Sequence, residues 1–306
     1  MPSIAWRKRK VMMVESTLAR TSRVVLITGC SSGIGWATAE LLTERGWTVY
    51  ATARNIEAIA PLEARGCKLL ALDVTDEGSM WRAVEEVERA EGAVGVLINN
   101  AGYSQSGAVE NVPMEKVRRQ FETNVFGLVR MCQLVLPGMR EKGFGRIVNL
   151  SSMGGKLTFP GGGFYHATKY AVEAISDALR FEVRGFGIEV VLIEPGLIRT
   201  DFAEKAVGSM DGGSMRQDTA SGGTYAGFDD AVARATRENY ERGPLARLGG
   251  GPETVAETIE RAISATYPRS RYTVTPSARL LIWARRLLSD RAWDSLLRFW
   301  FPQPGR

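Results

Sequence analysis

The feature that most constrains the fold is a glycine-rich turn directly after an apolar segment near the amino terminus. Residues 24–28 (VVLIT) form a continuous aliphatic and β-branched run, which is typical of a strand buried on both faces of a parallel sheet. Residues 29–35 (GCSSGIG) follow at once, and a helical pattern begins at Trp36. Glycines permit a tight turn and close approach of the backbone, while a helix amino terminus offers free N–H groups to an anion. A strand, this turn and a helix together predict a dinucleotide-binding unit.

The same alternation of strand and helix continues along the chain. Further apolar runs predict strands at residues 48–53, 68–72, 94–98, 146–151, 189–194 and 271–274. Amphipathic patterns predict helices at residues 79–90, 114–137, 252–266 and from Phe164 onward. This alternation predicts an α/β fold, a doubly wound parallel sheet (Rossmann fold) in a single domain. Ligands of such sheets bind at the carboxyl ends of the strands.

The end of the second predicted strand bears on the choice of cofactor. Residues 48–53 (TVYATA) carry no carboxylate, and Arg54 follows them. An acidic residue at this point would hydrogen-bond the ribose 2′-hydroxyl of NAD, whereas a guanidinium suits a 2′-phosphate. We therefore predict NADP(H) in preference to NAD(H). The alternative is that Arg54 is only a solvated loop residue.

A second chemical pattern lies in residues 152–169 (SMGGKLTFPGGGFYHATK). Tyr165 and Lys169 are four residues apart on a predicted helix, so their side chains share a face. An ammonium beside a phenol favours the phenolate and lowers a pKa that starts near ~10. The Ser152 hydroxyl, thirteen residues before Tyr165, is suited to hydrogen-bond a carbonyl or alcohol oxygen. The tyrosine–lysine spacing alone also occurs on ordinary surface helices.

Composition excludes several classes of protein. The net charge of +5 is modest and much of it lies at the two ends, in residues 7–10 and 279–298, which argues against a nucleic-acid-binding protein. Three scattered cysteines, Cys30, Cys67 and Cys132, indicate neither disulfides nor a zinc site, as expected of a cytoplasmic protein. The single histidine, His166, leaves no Ser-His-Asp triad and no metal site. It points about 100° away from Tyr165 around the helix, and we predict a structural role for it.

The motifs taken together resemble one known family. They are Thr28-Gly-x-x-x-Gly-x-Gly, Asn99-Asn-Ala-Gly, Asn124, Ser152, Tyr165-x-x-x-Lys169 and Pro195-Gly, in this order. Residues 23–200 therefore resemble the short-chain dehydrogenase/reductase family. Within it, GCSSGIG followed by YATAR is similar to the branch of 17β-hydroxysteroid and retinol dehydrogenases.

This resemblance implies an NADP(H)-dependent oxidoreductase that interconverts a lipophilic alcohol and its ketone or aldehyde. Tyr165 would be the general acid/base, Ser152 would bind the substrate oxygen, and Lys169 would lower the phenol pKa and bind the nicotinamide ribose. Asn124 would hold a water that links Lys169 to solvent. The expected cofactor contacts are Gly29, Ser31, Ser32, Gly33, Ile34, Gly35, Arg54, Asp73, Val74, Asn100, Ala101, Gly102, Tyr165, Lys169, Pro195, Gly196, Ile198 and Thr200.

Two other functions stay open at this point. One is a 3-oxoacyl-thioester reductase of fatty-acid metabolism. The other is a non-catalytic regulator that senses NADP(H). Such a regulator would be expected to lose part of the serine, tyrosine and lysine set, and this chain keeps all three.

The remaining segments set the domain boundaries. We expect a flexible basic arm (1–22), a catalytic domain (23–276) with a helical lid at about 201–251, and an extension of amphipathic helices (277–306). Residues 278–301 interleave aliphatic and aromatic side chains with five arginines, which is too charged to span a bilayer. This extension would either pack on the lid or another subunit, or lie at a membrane surface. The family resemblance implies a homodimer or homotetramer with a small lipophilic substrate.

Overall fold

The structure is a computed structural model that describes residues 22–210, 225–241, 243 and 245–304. All but the last residue of the predicted amino-terminal arm lies outside the described residues. The description therefore begins just before the first strand.

A seven-stranded parallel sheet forms the centre of the molecule, with the spatial order β3-β2-β1-β4-β5-β6-β7. The strands are β1 (Val24–Ile27), β2 (Thr48–Ala53), β3 (Lys68–Ala71), β4 (Val96–Asn99), β5 (Gly145–Leu150), β6 (Ile188–Glu194) and β7 (Arg271–Thr273). The order reverses between β1 and β4, which creates a crevice at their carboxyl ends. The predicted doubly wound sheet is confirmed.

Helices cover both faces of this sheet. Outside the predicted lid and extension they are α1 (Gly33–Glu44), α2 (Ala60–Glu63), α3 (Glu77–Glu91), α4 (Met114–Phe121), α5 (Gly127–Lys142), α6 (Gly163–Val183) and α9 (Pro252–Ser264). The helices of the predicted lid are α7 (Phe202–Gly208) and α8 (Ala226–Glu241), and those of the extension are α10 (Pro276–Leu287) and α11 (Asp290–Arg298).

Apolar side chains that alternate along the strands supply two core layers. Leu26 and Leu97 face one layer, which α3, α5 and α6 complete, whereas Val25, Ile27 and Ile98 face the other layer with α1 and α9. A third apolar cluster joins α10 and α11 to the segment after β5, through residues such as Leu157, Leu281 and Trp293. The two main layers hold the strand ends rigidly, and the third lies beside them.

The structure adds detail to two expectations about helices. Much of the predicted helical lid lacks strong periodicity in its sequence, and its described residues form the regular helices α7 and α8. Their buried positions are mostly alanines, such as Ala203, Ala206 and Ala235, which give a weak hydrophobic signal. The helix expected at 114–137 continues to Lys142 and includes a π-helical turn, Glu122–Phe126.

Candidate active site

A cleft of about 1040 Å³ opens at the carboxyl ends of strands β1 to β6. Each of these strands contributes the residues that follow it immediately, as the topology requires. The predicted contact residues that line the cleft are Gly29, Ser31, Ser32, Gly33, Ile34, Arg54, Asp73, Val74, Asn100, Ala101, Gly102, Tyr165, Lys169, Pro195, Gly196, Ile198 and Thr200.

The turn after β1 depends on its first two glycines. Gly29 and Gly33 have φ angles of +75° and +60°, which other residues rarely adopt. The turn is tied to the end of β4, because the Asn100 side-chain amide donates to the carbonyl oxygens of Thr28 and Gly29 at 2.9 and 2.8 Å. Asn100 therefore shapes the floor of the cleft through the backbone of the turn.

Gly35 was expected to contact the cofactor, but it does not line the cleft. It is buried at the start of α1, where an added Cβ would collide with the Gly29 carbonyl oxygen and the Asn100 amide. The absence of a side chain lets helix α1 pack closely against the turn. Gly35 thus acts on the site through the position of the helix.

Several cationic side chains line the cleft. Arg54 is exposed directly after β2, and Lys116, Arg119 and Lys205 also line the cleft. Lys205 lies 3.3 Å from the Ser32 hydroxyl in the turn after β1. The sequence reasoning found Arg54 but missed the other three, because they come from α4 and α7 and no local motif marks them.

The catalytic candidates converge within the same cleft. Helix α6 carries Tyr165 and Lys169, and the Lys169 ammonium lies 5.7 Å from the centre of the Tyr165 ring. Lys169 also donates a hydrogen bond of 2.7 Å to the Leu150 carbonyl oxygen at the end of β5. Ser152 follows this strand, and its hydroxyl accepts from the Gly154 amide at 3.0 Å. Local helix geometry and the end of β5 thus bring the three groups together.

Burial controls the acidity of the phenol. It raises the pKa of Tyr165 above its ordinary value, nearby Tyr240 raises it further, and Ser152 acts in the opposite direction. Desolvation outweighs the opposing effect of Ser152 in this structure. The expected lowering of this pKa by Lys169 stays a prediction. The phenol is protonated at neutral pH.

The ammonium of Lys169 responds to the same burial. Desolvation lowers the pKa of Lys169 to about 8, and the Glu173 carboxylate one helical turn away opposes this shift. Glu173 is buried and forms ion pairs with Lys156 and with Arg271, the latter at 3.0 Å. A charged cluster behind the site thus influences the cation beside the phenol.

The family to which this chain belongs follows from its similarity to a known family model. A family model described as short chain dehydrogenase matches residues 23–210, more than half of the chain. The chain belongs to the short-chain dehydrogenase family. Its enzymes are oxidoreductases that act on CH–OH groups, and the resemblance inferred from the motifs is confirmed.

Similar members of the family match nearly the whole chain. The 3-ketodihydrosphingosine reductase of Bacteroides thetaiotaomicron is 37% identical and is covered over 98% of its length by 91% of this chain. The NADPH-dependent 3-dehydrocapnine reductase of Ornithobacterium rhinotracheale is 36% identical, with 90% of this chain and 95% of the relative covered. Mouse 17-beta-hydroxysteroid dehydrogenase type 1 is 35% identical over 89% of this chain and 78% of its own.

An apolar chamber adjoins the catalytic end of the cleft in this short-chain dehydrogenase. Its volume is about 120 Å³, and Phe159, Leu197, Leu281, Trp300 and Phe301 are among its walls. Ser152, Tyr165, Phe202 and Tyr240 line both the chamber and the cleft. Ser151 lines the cleft alone, so the geometry distinguishes Ser152 from its neighbour.

Asn124 lies in the π-helical turn and is almost fully buried. Its side-chain amide donates to the Tyr103 carbonyl at 2.8 Å and to the Thr168 hydroxyl at 3.1 Å, and its oxygen accepts from the Tyr103 amide. These bonds join the segment after β4 to helix α6. Asn124 does not line the cleft, and its role in holding a water beside Lys169 stays a prediction.

His166 has the structural surroundings that its position predicted. Its Nδ1 lies 3.1 Å from the Gly154 carbonyl oxygen, and its Nε2 accepts from the Phe159 amide at 3.2 Å. Burial lowers the pKa of His166 to about 4, so the ring is neutral at physiological pH. The imidazole therefore braces the loop between Ser152 and Tyr165.

Proposed function

We propose that this short-chain dehydrogenase is an NADP(H)-dependent reductase of lipophilic ketones, which it interconverts with the corresponding alcohols. The observation that carries the proposal is that Ser152 and Tyr165 line both the nucleotide cleft and the apolar chamber. A substrate oxygen between these two hydroxyls would place the adjoining part of the apolar body in the chamber and the reacting carbon toward the cleft.

The cleft has the features that a phosphorylated dinucleotide needs. Its volume suits such a ligand, the glycine turn after β1 allows close approach to a pyrophosphate, and helix α1 begins there. Strand β2 ends in Ala53 with no carboxylate, and Arg54, which lines the cleft directly after it, would pair with a ribose 2′-phosphate. NADPH dependence of the 3-dehydrocapnine reductase supports the same choice.

When bound, the cofactor supplies a hydride from C4 of its nicotinamide ring. The protein supplies the proton and stabilises the substrate oxygen. In reduction, the Tyr165 O–H donates its proton to the carbonyl oxygen, and the product is an alcohol. Ser152 holds that oxygen in place, and the Lys169 ammonium stabilises the phenolate that remains. The raised pKa of Tyr165 keeps the phenol in the protonated form that reduction requires.

The chamber favours an apolar substrate. Leu281 of α10 and the aromatic residues Trp300 and Phe301 after α11 join Phe159, Leu197 and Phe202 in its wall, and such walls bind ligands through buried apolar area. Relatives named for reduction of 3-ketodihydrosphingosine and 3-dehydrocapnine support a lipid ketone.

The direct test is oxidation of NADPH by the purified enzyme with a panel of lipid ketones, ketosteroids, retinaldehyde and 3-oxoacyl thioesters. We expect turnover with ketones of large apolar area and little with short polar ketones. Preference for 3-oxoacyl thioesters would replace the proposed substrate class, and tight NADPH binding without turnover of any substrate would favour the regulator.

Tyr165→Phe tests the assigned proton donor. Removal of the phenolic hydroxyl is expected to lower kcat by roughly 10²–10⁴-fold, the usual contribution of a general acid. NADPH binding, followed by fluorescence titration, should change little, because the ring remains in place. Activity within tenfold of the wild type would remove Tyr165 from this role.

Arg54→Gln tests the cofactor choice separately. Loss of the guanidinium should raise KM for NADPH by at least tenfold and leave KM for NADH nearly unchanged, since only NADPH carries the 2′-phosphate. Arg65→Gln is a matched control, because Arg65 is exposed and pairs with Glu40 outside the cleft. Equal effects on the two cofactors would contradict the assignment of Arg54.

A further inference from the structure

We propose that the exposed face of helix α10 binds the surface of an anionic lipid bilayer. In the described part of the chain, no helix combines the length and apolar character needed to cross a membrane. The proposed contact is therefore peripheral. It concerns binding alone, and its link to the substrate rests on the proposed function.

Helix α10 presents two apolar faces. One face, with Ala278, Leu281 and Ile282, is buried against the rest of the molecule. The other face carries Leu280, Trp283 and Leu287, which are 53%, 65% and 66% exposed. Spacings of three, four and seven residues place these three side chains on one stripe of the helix. A stripe of this size is costly to leave in water and marks an interaction surface.

Arginines run along one edge of the stripe. Arg279 and Arg286 are seven residues apart, exposed, and form no ion pair with any carboxylate among the described residues. Arg285, in contrast, points toward Trp293 and pairs with Asp290 at 2.6 Å. No acidic residue occurs within α10. The exposed face thus combines an apolar stripe, a tryptophan and uncompensated positive charge.

The positive charge of the exposed α10 face indicates which kind of partner binds it. A second copy of the chain, packed antiparallel through the same face about a two-fold axis, would place the two arginine edges on the same side of the helix pair, close to one another. An anionic bilayer offers acyl chains to the stripe and phosphates to the arginines, and tryptophan is favoured at that boundary. An anionic lipid surface therefore complements both the apolar stripe and the arginines of this face.

This contact would place the substrate chamber near the membrane. Leu281, on the buried face of α10, lines the chamber together with Trp300 and Phe301. One helix therefore separates the proposed lipid contact from the proposed substrate site. If the substrate is a lipid ketone, docking would bring the chamber close to its source.

Vesicle flotation tests the proposal with the full-length protein. Vesicles of phosphatidylcholine alone are compared with vesicles that contain phosphatidylglycerol, at low and high salt. We expect binding to the anionic vesicles at least tenfold stronger than to the neutral ones, and weakened by salt. Absence of binding, or equal binding to both kinds of vesicle, would overturn the proposal.

Two double variants of α10 test the arginines and the apolar stripe separately. Arg279→Gln with Arg286→Gln should weaken binding by roughly fivefold for each arginine, and Trp283→Ser with Leu287→Ser should abolish it. The matched controls are Arg269→Gln and Tyr267→Ser, which change an exposed arginine and an exposed aromatic residue outside α10. Unchanged binding in both α10 variants would refute the assignment.

Light scattering and activity complete the test. Light scattering measures the oligomeric state. If the α10 variants change that state and the wild type does not bind vesicles, the face is an interface between copies of the chain and the proposal fails. Reduction of a lipophilic ketone supplied in solution, without vesicles, should be the same in the α10 variants as in the wild type, because the changed side chains do not line the site. That activity is independent of membrane binding, so failure of docking and failure of the proposed function are distinguishable.

Discussion

At the scale of single residues, burial shifts the pKa values of Tyr165 and Lys169 in opposite directions. Removal from water disfavours the charged form of each group, so the phenol is harder to ionise and the ammonium is easier to neutralise. Below about pH 8, Tyr165 keeps its proton and Lys169 keeps its charge. This is the state that a proton-donating site needs.

Glu173→Gln is expected to shift the pH dependence of ketone reduction. The Glu173 carboxylate raises the pKa of Lys169, so its neutralisation should lower that pKa further below about 8. The ammonium would then be lost at lower pH, and the alkaline decline of kcat/KM should move in the same direction. Asp177→Asn is the control, because Asp177 pairs with Arg271 in the same cluster but does not act on Lys169. If the alkaline decline of kcat/KM stays at the same pH in Glu173→Gln, the prediction is contradicted.

His166 should titrate far from its ordinary range. Since burial lowers its pKa to about 4, we expect its proton resonances to shift near that pH instead of near 6.5. It is the single histidine in the chain, so the signal in tag-free protein is unambiguous. Between pH 6.5 and 4 the unfolded state binds more protons, and this group therefore removes up to roughly 3 kcal/mol of stability as the pH falls. A measured pKa near 6.5 would show that the ring is solvated.

At the scale of elements, an arginine in the sheet supports a helix end. Arg146 on β5 is buried, and its guanidinium donates to the carbonyl oxygens of Ala262, at 2.7 Å, and Ala265. These carbonyls lie at the carboxyl end of α9, where backbone acceptors lack helical partners and a positive charge is favoured. Arg146 therefore attaches α9 to the sheet.

Arg146→Met should lower the free energy of unfolding by about 2–4 kcal/mol. Methionine fills part of the space but leaves the Ala262 and Ala265 carbonyls, one buried and one partly buried, without this donor. The measurement is urea denaturation at neutral pH. Arg269→Met, at an exposed site, should change stability by less than ~0.5 kcal/mol. Similar stability of the two variants would show that solvent reaches the end of α9.

At the scale of the whole molecule, the third apolar cluster connects the carboxyl-terminal helices to the chamber. Trp293 on α11 is buried, and its ring centre lies 6.2 Å from that of Phe159, which lines the chamber. Tyr240 of α8 and Leu297 of α11 pack against the same cluster. The extension and the lid helix therefore share one core.

Trp293→Ala is expected to loosen this cluster, at a cost of roughly 3–5 kcal/mol. Because the chamber walls lose support, KM for a lipophilic ketone should rise while the Kd for NADPH stays within twofold of the wild type. Trp81→Ala, at a half-exposed position on α3, controls for loss of a tryptophan. A rise in the Kd for NADPH equal to the rise in KM would indicate global disruption instead.

The strands and catalytic residues that could be predicted from the sequence are those marked by local sequence patterns. Strands β1 to β7 were located to within about two residues, because continuous apolar runs followed by turn residues are local signals. Helix periodicity predicted that Tyr165 and Lys169 lie on one helix face. The thirteen-residue spacing to Tyr165 predicted Ser152 as the third residue of the site. The positions of Gly35 and Asn124 outside the cleft depend on contacts with residues far along the chain, which no local pattern records.

The amino-acid sequence by itself determined the order of strands and helices, the glycine turn and the set of side chains able to do the chemistry, since these follow from short-range periodicity and residue type. Tertiary structure alone decided the burial that raises the pKa of Tyr165, the buried Glu173 cluster that acts on Lys169, and the union of α8, α10 and α11 around an apolar chamber. Desolvation and Coulomb interactions depend on distances in space, and those distances exist only once the chain has folded.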